Sequence, residues 1–274
     1  MENDPRISFI GAGNMANAII GGLRARGVDA SRIIAADPYQ PSLDSLREQH
    51  GVESAADNTA AVTGADVVVL AVKPQVLETA ISEIRDRLSE NPPLLLSIVA
   101  GISVSSMESW LAGPQAIVRS MPNTPALVQC GATALFANSE VNEEQRNYAE
   151  SIASAIGITA WVEEESLLDA VTAISGSGPA YYFAIMEAMQ SIAKDMGLDA
   201  ELAEHFVHQT ALGAAQMAIN SDVDVGELRR RVSSPGGTTL AALEQFEAGN
   251  LHGLFATALD AARQRAHDMA KEFG

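Results

Sequence analysis

The stretch RISFIGAGNMANAIIGGL, residues 6–23, decides how this chain is read. RISFI is a short, mostly apolar run with the composition of a strand buried on both faces of a parallel sheet. GAGNMA follows at once and supplies Gly11, Gly13 and Ala16 in the spacing G-x-G-x-x-A. NMANAIIGGL then carries apolar residues at helical spacing. Strand, glycine turn and helix in this order are the context that gives the spacing a physical meaning. The first glycine permits a tight turn, the second lets the backbone approach a pyrophosphate, and the small third residue packs helix against strand. An anion is favoured there because the first N–H groups of a helix lack partners and sit at the positive end of its dipole. Gly11, Ala12, Gly13, Asn14, Met15 and Ala16 are therefore the expected dinucleotide cradle.

The same alternation continues along the first 160 or so residues. RIIAAD, ADVVVLAV, PLLLSIVAG, AIVRSM and ATALFA read as further buried strands. Helical patterns cover 14–26, 42–50, 76–89, 104–111 and 142–156. Such βα alternation predicts a doubly wound α/β domain with a mostly parallel sheet. TAWVEEE, residues 159–165, is expected to add a last edge strand. Asp37 closes RIIAAD, where an acidic side chain commonly binds the ribose hydroxyls of the adenosine. Before Pro38 it also reads as a turn-initiating residue, and both readings stay open.

After Glu165 the strand signals stop and every apolar segment has a helical period. In LHGLFATALDAARQRAHDMAKEF, Leu251, Leu254, Phe255, Ala258, Leu259, Ala262, Ala266 and Met269 form one stripe. Asp199 is placed to cap its helix. The expected division is 1–163 for the dinucleotide domain and 164–274 for an all-helical domain. So many apolar stripes in so short a segment predict pairing with a second copy.

Composition narrows the field. The chain has 274 residues, 47% of them apolar and 19% charged, which suits two globular domains. No run of 18 uncharged apolar residues appears, so no membrane span is expected. MENDPRISFIG enters a strand pattern without a secretory signal, and Cys130 is the only cysteine, so a reducing cytoplasm is the expected compartment. The net charge is −18 and the only lysines are Lys73, Lys194 and Lys271, which argues against nucleic-acid binding. An anionic ligand must be held by local N–H groups and a few arginines rather than by a general positive field. Cys130 reads as a small packed residue, and Tyr181, Tyr182 and Phe183 as helix packing. His205 and His208 lie three residues apart on a helix with no third ligand in view, so no metal is expected.

A second stretch has the chemistry of an anion site. RRRVSSPGGTTLAALEQF, residues 229–246, runs two serines, a proline, two glycines and two threonines into an apolar helical pattern. Taken alone it reads first as an ordinary helix start after a Pro-Gly turn, and only the set of motifs below reverses that.

Together, FIGAGNMA (9–16), AVKPQ (71–75), RSMPNTPALV (119–128), SGSGPAY (175–181) and SSPGGTT (233–239) resemble the pyrroline-5-carboxylate reductase family, which catalyses the last step of proline biosynthesis. The resemblance spans the whole chain. It implies a Rossmann domain that holds NADPH, the reduced form of NADP, with NAD (NADH) as a second cofactor. Asn58, Ala71, Val72, Lys73, Pro74, Pro122 and Asn123 would line that cofactor beside the glycine loop. It implies an all-α dimerisation domain forming an intertwined dimer, in some members a pentamer of dimers. Ser234, Gly236, Gly237, Thr238 and Thr239 would hold the carboxylate of 1-pyrroline-5-carboxylate. Gly237 is the position where a β-branched residue is expected to block close approach and to fail on backbone dihedrals. Thr239 would bond the ring nitrogen, and Glu165 would approach the substrate.

Two cradles then serve one purpose, since hydride transfer needs both reacting partners fixed in near-contact geometry. A protonated cyclic imine accepts hydride readily, so the proton can come from solvent or a hydroxyl relay. The family favours NADPH, yet Asp37 would repel a 2′-phosphate and no arginine follows it in DPYQPSLDSL. Use of both cofactors is the resulting expectation. Two rivals are weaker. A 3-hydroxyacid dehydrogenase needs a basic group on the hydroxyl, typically a lysine in the helical domain, and neither Lys194 nor Lys271 adjoins SGSGPAY. A dinucleotide-sensing module would need no second cradle.

Overall fold

A computed structural model describes residues 5–88 and 92–273. Eight strands form one sheet: β1 (Ile7–Ile10), β2 (Ile33–Ala36), β3 (Glu53–Ser54), β4 (Val67–Leu70), β5 (Leu94–Ser97), β6 (Ile117–Met121), β7 (Gly131–Ala137) and β8 (Gly157–Trp161). The order is β3-β2-β1-β4-β5-β6-β7-β8. The first six are parallel in the 3-2-1-4-5-6 order of doubly wound dinucleotide folds. β7 runs antiparallel to β6, and β8 parallel to β7.

Helices α1 (Asn14–Ala25), α2 (Gln40–His50), α3 (Asn58–Val62), α4 (Pro74–Leu88), α5 (Val104–Trp110) and α6 (Glu143–Ser154) alternate with these strands. Successive side chains of a strand point to opposite faces, so the sheet has two cores. Phe9, Val67 and Val69 join Ile19, Ile20 and Leu23 of α1 on one face. Ile10, Val68 and Leu70 join Leu77, Ile81 and Ile84 of α4 on the other. The near-continuous apolar runs in the sequence reflect this double burial. β3 and α3 were not anticipated, because two and five residues are too short to display a period. The edge strand is shorter and earlier than TAWVEEE suggests. It ends at Trp161, before the three consecutive glutamates 163–165.

The rest is helical: α7 (Leu167–Val171), a π-helical turn at Thr172–Gly176, then α8 (Gly178–Asp195), α9 (Ala200–Ile219), α10 (Val225–Arg231), α11 (Thr238–Ala248) and α12 (Leu251–Phe273). Asp199 caps α9 by accepting the Leu202 N–H. The chain forms two compact units. One contains the sheet, the chain up to Ser177 and the residues from Ala262 on; the other is Gly178–Ala261. The predicted stripe of α12 is therefore divided. Ala266 and Met269 belong to the sheet unit, where Met269 lies against Gly101 and Phe273 against the second core. Leu251, Leu254 and Phe255 stay exposed in the helical unit.

That unit has almost no interior of its own. Gly178, Ala203 and Val207 are its buried residues. Tyr182, Phe183, Phe206, Met217 and Ile219 are exposed. Tyr182 and Phe183, expected as helix packing, have no such cover within the single chain, because the apolar faces of α8 and α9 exceed what one copy covers. Cys130 is likewise exposed rather than packed. It follows Gln129, whose left-handed backbone (φ 58°) turns the chain into the start of β7. Among the described residues no helix is long and apolar enough to cross a membrane.

Candidate active site

The loops after β1, β2 and β4 meet at the carboxyl edge of the sheet, where the strand order reverses between β1 and β4. Open α/β sheets bind ligands at such a point. Gly11 donates its N–H to the Ala36 carbonyl (2.8 Å), and the Ala71 N–H reaches the Ile10 carbonyl (2.8 Å). Gly11 has φ +103°, and a Cβ there would lie 2.5 Å from the Ala71 carbonyl oxygen. Both conformation and space demand glycine.

Gly13 is different. Its backbone is extended (φ −75°), and a Cβ there would meet nothing within 4 Å. Packing inside the protein does not call for a glycine, whereas an anion lying over the start of α1 does. Gly13 is the N-cap, with no side-chain cap and no acidic residue in the first turn. The N–H groups of Asn14, Met15 and Ala16 have no intrahelical acceptor. Elsewhere Asp57, Ser103, Asn142, Asp199 and Asp224 cap α3, α5, α6, α9 and α10 through their side chains. The first cradle thus fits the pyrophosphate of a dinucleotide.

Asp37 is held by two backbone donors, one of them in the glycine loop. Its Oδ2 accepts the Ala12 N–H (2.7 Å) and its Oδ1 the Tyr39 N–H (2.8 Å). It is a turn residue and also a negative charge fixed onto the glycine loop. Ala71 and Val72 are half-buried. Lys73 precedes α4 and its carbonyl accepts the Val76 N–H, while Pro74 occupies the first helical position. Asn58 opens α3 after the carboxyl end of β3, and its amide donates to Glu83 Oε2 of α4 (2.7 Å).

Pro122 and Asn123 follow β6 and are buried. Asn123 donates to the Ser175 carbonyl (3.0 Å) and accepts the Ala132 N–H (2.9 Å). It therefore ties the loop to the π-helical turn, in which the Ser177 N–H reaches back to the Thr172 carbonyl (2.8 Å). Gly176 faces Met121 there: a Cβ would fall 2.6 Å from its methyl carbon. This explains the neighbourhood of the MPNTP and SGSGP motifs.

Glu165 is not a free surface carboxylate. Its Oε1 accepts both Arg119 Nη1 (2.8 Å) and the Val104 N–H at the start of α5 (2.8 Å). The Arg119 side chain is 7% exposed and that of Glu165 25%. Sequence reading missed Arg119, although a lone cation in the apolar run AIVRSM was the available signal. Arg119 and Asn123 flank Met121 and Pro122, so the end of β6 is pinned to Glu165 on one side and to Ser175 on the other.

The helical unit holds the second cradle. The Gly237 N–H reaches the Ser234 carbonyl (3.0 Å), closing a turn with Pro235 and Gly236 at its centre. Gly236 has φ +72°, as the third residue of a type II turn requires. Gly237 is extended (φ −81°, ψ 164°), so the expected dihedral obstacle lies at Gly236 instead. At Gly237 the obstacle is space, since a Cβ would lie 2.6 Å from the Ser234 hydroxyl. Gly237 is the N-cap of α11, again with no side-chain cap and no acid in the first turn. The N–H groups of Thr238, Thr239 and Leu240 are left without intrahelical acceptors. Ser234, Thr238 and Thr239 are exposed around them.

Two glycine-initiated, uncapped helices therefore stand in one chain. Residues 165–269 match the family described as pyrroline-5-carboxylate reductase dimerisation, and residues 6–101 match NADP oxidoreductase coenzyme F420-dependent. The pyrroline-5-carboxylate reductase of Pseudomonas aeruginosa is 47% identical over 270 residues, 98% of each chain. That of Methanosarcina acetivorans is 37% identical over 99% of this chain and all of its own. The chain belongs to the pyrroline-5-carboxylate reductase family. Its fold agrees with a solved reductase from Coxiella burnetii (TM-score 0.94, 46% identity, covering 98% of this chain and 99% of that one). The Plasmodium falciparum pyrroline carboxylate reductase, solved with NADP bound, gives a TM-score of 0.86 at 28% identity, covering 97% and 98%. Family membership makes the chain an NAD(P)-dependent oxidoreductase of proline biosynthesis, and the dehydrogenase and sensor readings fall away.

The Arg119–Glu165 pair yields a stability prediction. Arg119→Met strands a partly buried carboxylate and should lower unfolding free energy by about 3 kcal/mol in urea titrations. Glu165→Gln keeps an acceptor for Arg119 and Val104 and should cost less than half of that. Equal losses would show that the charge, not the acceptor, holds the node.

Proposed function

We propose that residues 1–163 hold the dinucleotide and residues 164–274 hold the substrate and the dimer contacts, for reduction of 1-pyrroline-5-carboxylate to L-proline in the cytoplasm. The observation that carries this reading is the pair of uncapped, glycine-initiated helices, one in each compact unit. When bound, NADPH or NADH supplies the hydride. The N–H groups of residues 14–16 bind its pyrophosphate, with Gly13 leaving the space. Ala71, Val72, Lys73, Pro74, Asn58, Pro122 and Asn123 frame the same edge. The N–H groups at the start of α11 bind the substrate carboxylate, with Ser234 beside them. Thr239, on the first turn, bonds the ring nitrogen and relays a proton from solvent. Glu165 acts through the order it gives the end of β6. Imine-dependent oxidation of NADPH tests the reaction as a whole.

The helical unit supports an obligate homodimer, since its apolar faces have no interior partner within one chain. A pentamer of dimers is the further assembly we expect. Light scattering should give no stable monomer at micromolar concentration; a monomer that keeps its helical content would refute the pairing.

Cofactor choice turns on Asp37. Two backbone N–H groups hold its carboxylate at the end of β2, so it does not swing aside for a 2′-phosphate. NADH should serve alongside NADPH. Asp37→Ser should shift the kcat/KM ratio toward NADPH by at least tenfold, the size of one charge-assisted interaction of about 1.5–3 kcal/mol. An unchanged ratio in steady-state kinetics would leave Asp37 as a turn residue only.

The second cradle is tested by three substitutions. Gly236→Val strains a left-handed residue, and Gly237→Val drives a methyl group into Ser234. Thr239→Val removes one hydroxyl and keeps the shape. We expect Thr239→Val to lower kcat/KM for the imine about ten- to a hundredfold, one hydrogen bond to a charged group, and both glycine variants to lower it further. Cofactor affinity, read by fluorescence quenching without substrate, should be unchanged in all three. Loss of cofactor binding in a folded Gly237→Val dimer, with imine saturation intact, would assign the loop to the dinucleotide.

A further inference from the structure

The arginines that precede the second cradle are not used by the reaction as derived above. Residues 178–261 contain eleven Asp and Glu but only four Lys and Arg. Three of those four cations, Arg229, Arg230 and Arg231, are consecutive in the last turn of α10. A cation at a helix C-terminus is favoured by the dipole, but the effect fades within a turn. One arginine would suffice, and three adjacent ones repel each other.

Their pairing is uneven. Arg230 and Arg231 each donate from Nε to Glu227, both at 2.9 Å. Hydrogen bonds from Arg231, then Arg230, hold the Glu227 carboxyl below its ordinary range. Arg229 is exposed, and among the described residues no carboxylate pairs with it. Asp224, the N-cap of the same short helix, also feels the charge of Arg230. Three arginines against Glu227 and Asp224 leave one net positive charge, that of Arg229, in a unit that is otherwise strongly acidic. Ser233 donates its hydroxyl to the Arg229 carbonyl (2.6 Å), so the helix passes directly into the SSPGGTT loop. Three residues span Arg231 to Ser234, so their Cα atoms are at most about 11 Å apart. At low ionic strength that is well inside the Debye length of about 30 Å.

We propose that residues 229–231 are an electrostatic guide that draws the carboxylate-bearing imine toward the α11 cradle against the repulsion of an acidic protein. The proposal rests on reading that loop as the carboxylate site. Arg229 supplies an unpaired charge, Glu227 sets how much of the other two is felt, and specificity for carboxylated over uncharged imines follows. A unit charge about 10 Å away in water changes the local concentration of a monoanion about twofold, and salt screens this.

The test uses the intact oligomer at saturating NADPH, with 1-pyrroline-5-carboxylate and carboxylate-free 1-pyrroline compared at roughly 10 mM and 500 mM ionic strength, chosen to bracket the screening regime. Arg229→Gln should lower kcat/KM for the carboxylate about twofold at low salt, with kcat unchanged, and have no effect at high salt. It should leave 1-pyrroline unaffected. Arg229→Lys should restore the low-salt value. Glu227→Gln breaks two ion pairs yet unmasks positive charge, so it should raise the low-salt value about twofold. A decrease in Glu227→Gln, or an Arg229→Gln loss shared by both imines at both salt levels, would overturn the guide in favour of a structural role. No change at low salt would also overturn it. If Gly236→Val leaves saturation by the carboxylate intact, it is the cradle reading that fails.

Discussion

The structure turns on what a helix does with its first N–H groups. An α-helix leaves these donors without partners, and a folded chain usually supplies a side-chain oxygen to cap them. Five helices here follow that rule with Asp, Ser or Asn. α1 and α11 begin on glycine and offer their donors outward instead. A glycine N-cap forgoes a side-chain hydrogen bond and leaves the space in front of the donors open. α2 and α7 also lack a side-chain cap, but they start after Tyr39 and Ser166, which carry side chains. An open backbone of the glycine kind suits an anion lying close to it. The parallel sheet places the first such terminus at the reversal of strand order, between Ala36 and Ala71. The Ser234–Gly237 turn aims the second.

The Rossmann half was largely legible because its signals are local and redundant. Double burial makes a strand apolar throughout, and a glycine with φ +103° beside the Ala71 carbonyl can be little else. Legibility ended where the deciding contact is remote in sequence. Nothing near Glu165 reveals that its partners are Arg119 and the Val104 N–H, 46 and 61 residues away. Asn123 likewise reads as a loop residue until the Ser175 carbonyl is found 52 positions on. The two short elements β3 and α3 escaped for a simpler reason: they contain less than a period of any pattern. The misplaced obstacle at Gly237 has a similar origin. In a Gly-Gly pair the sequence does not say which member is left-handed, and the hydrogen bond from Gly237 to Ser234 does.

The helical half shows the opposite limit. Its periodicities were all readable, yet a stripe does not name the surface that will cover it. In α12 one continuous stripe serves two masters, with Ala266 and Met269 against the sheet unit and Leu254 and Phe255 left open. Such a division cannot come from hydrophobicity, since the half left open, with Leu251, Leu254 and Phe255, is the more apolar one. It comes from where the helix runs out of neighbours. A unit whose buried residues are a glycine, an alanine and a valine would have little reason to fold alone. Dimerisation is then less an addition to this unit than the condition for its having a core.

Acidity sets the remaining constraint. With a net charge of −18, the protein must bind two anions against its own field. In the function proposed above, backbone donors meet that demand, because they carry partial positive charge that titration cannot remove and that fold geometry orients. At the first cradle even the nearest carboxylate is turned to use: Asp37 is tied to the Ala12 N–H, stiffening the loop. The same tie puts a fixed negative charge beside the glycine loop, where a 2′-phosphate would be repelled and ribose hydroxyls accepted. In the proposed function, loop rigidity and cofactor choice are thereby linked in one side chain. A variant that relaxes the second must also loosen the first, unless another acceptor replaces the carboxylate on Ala12.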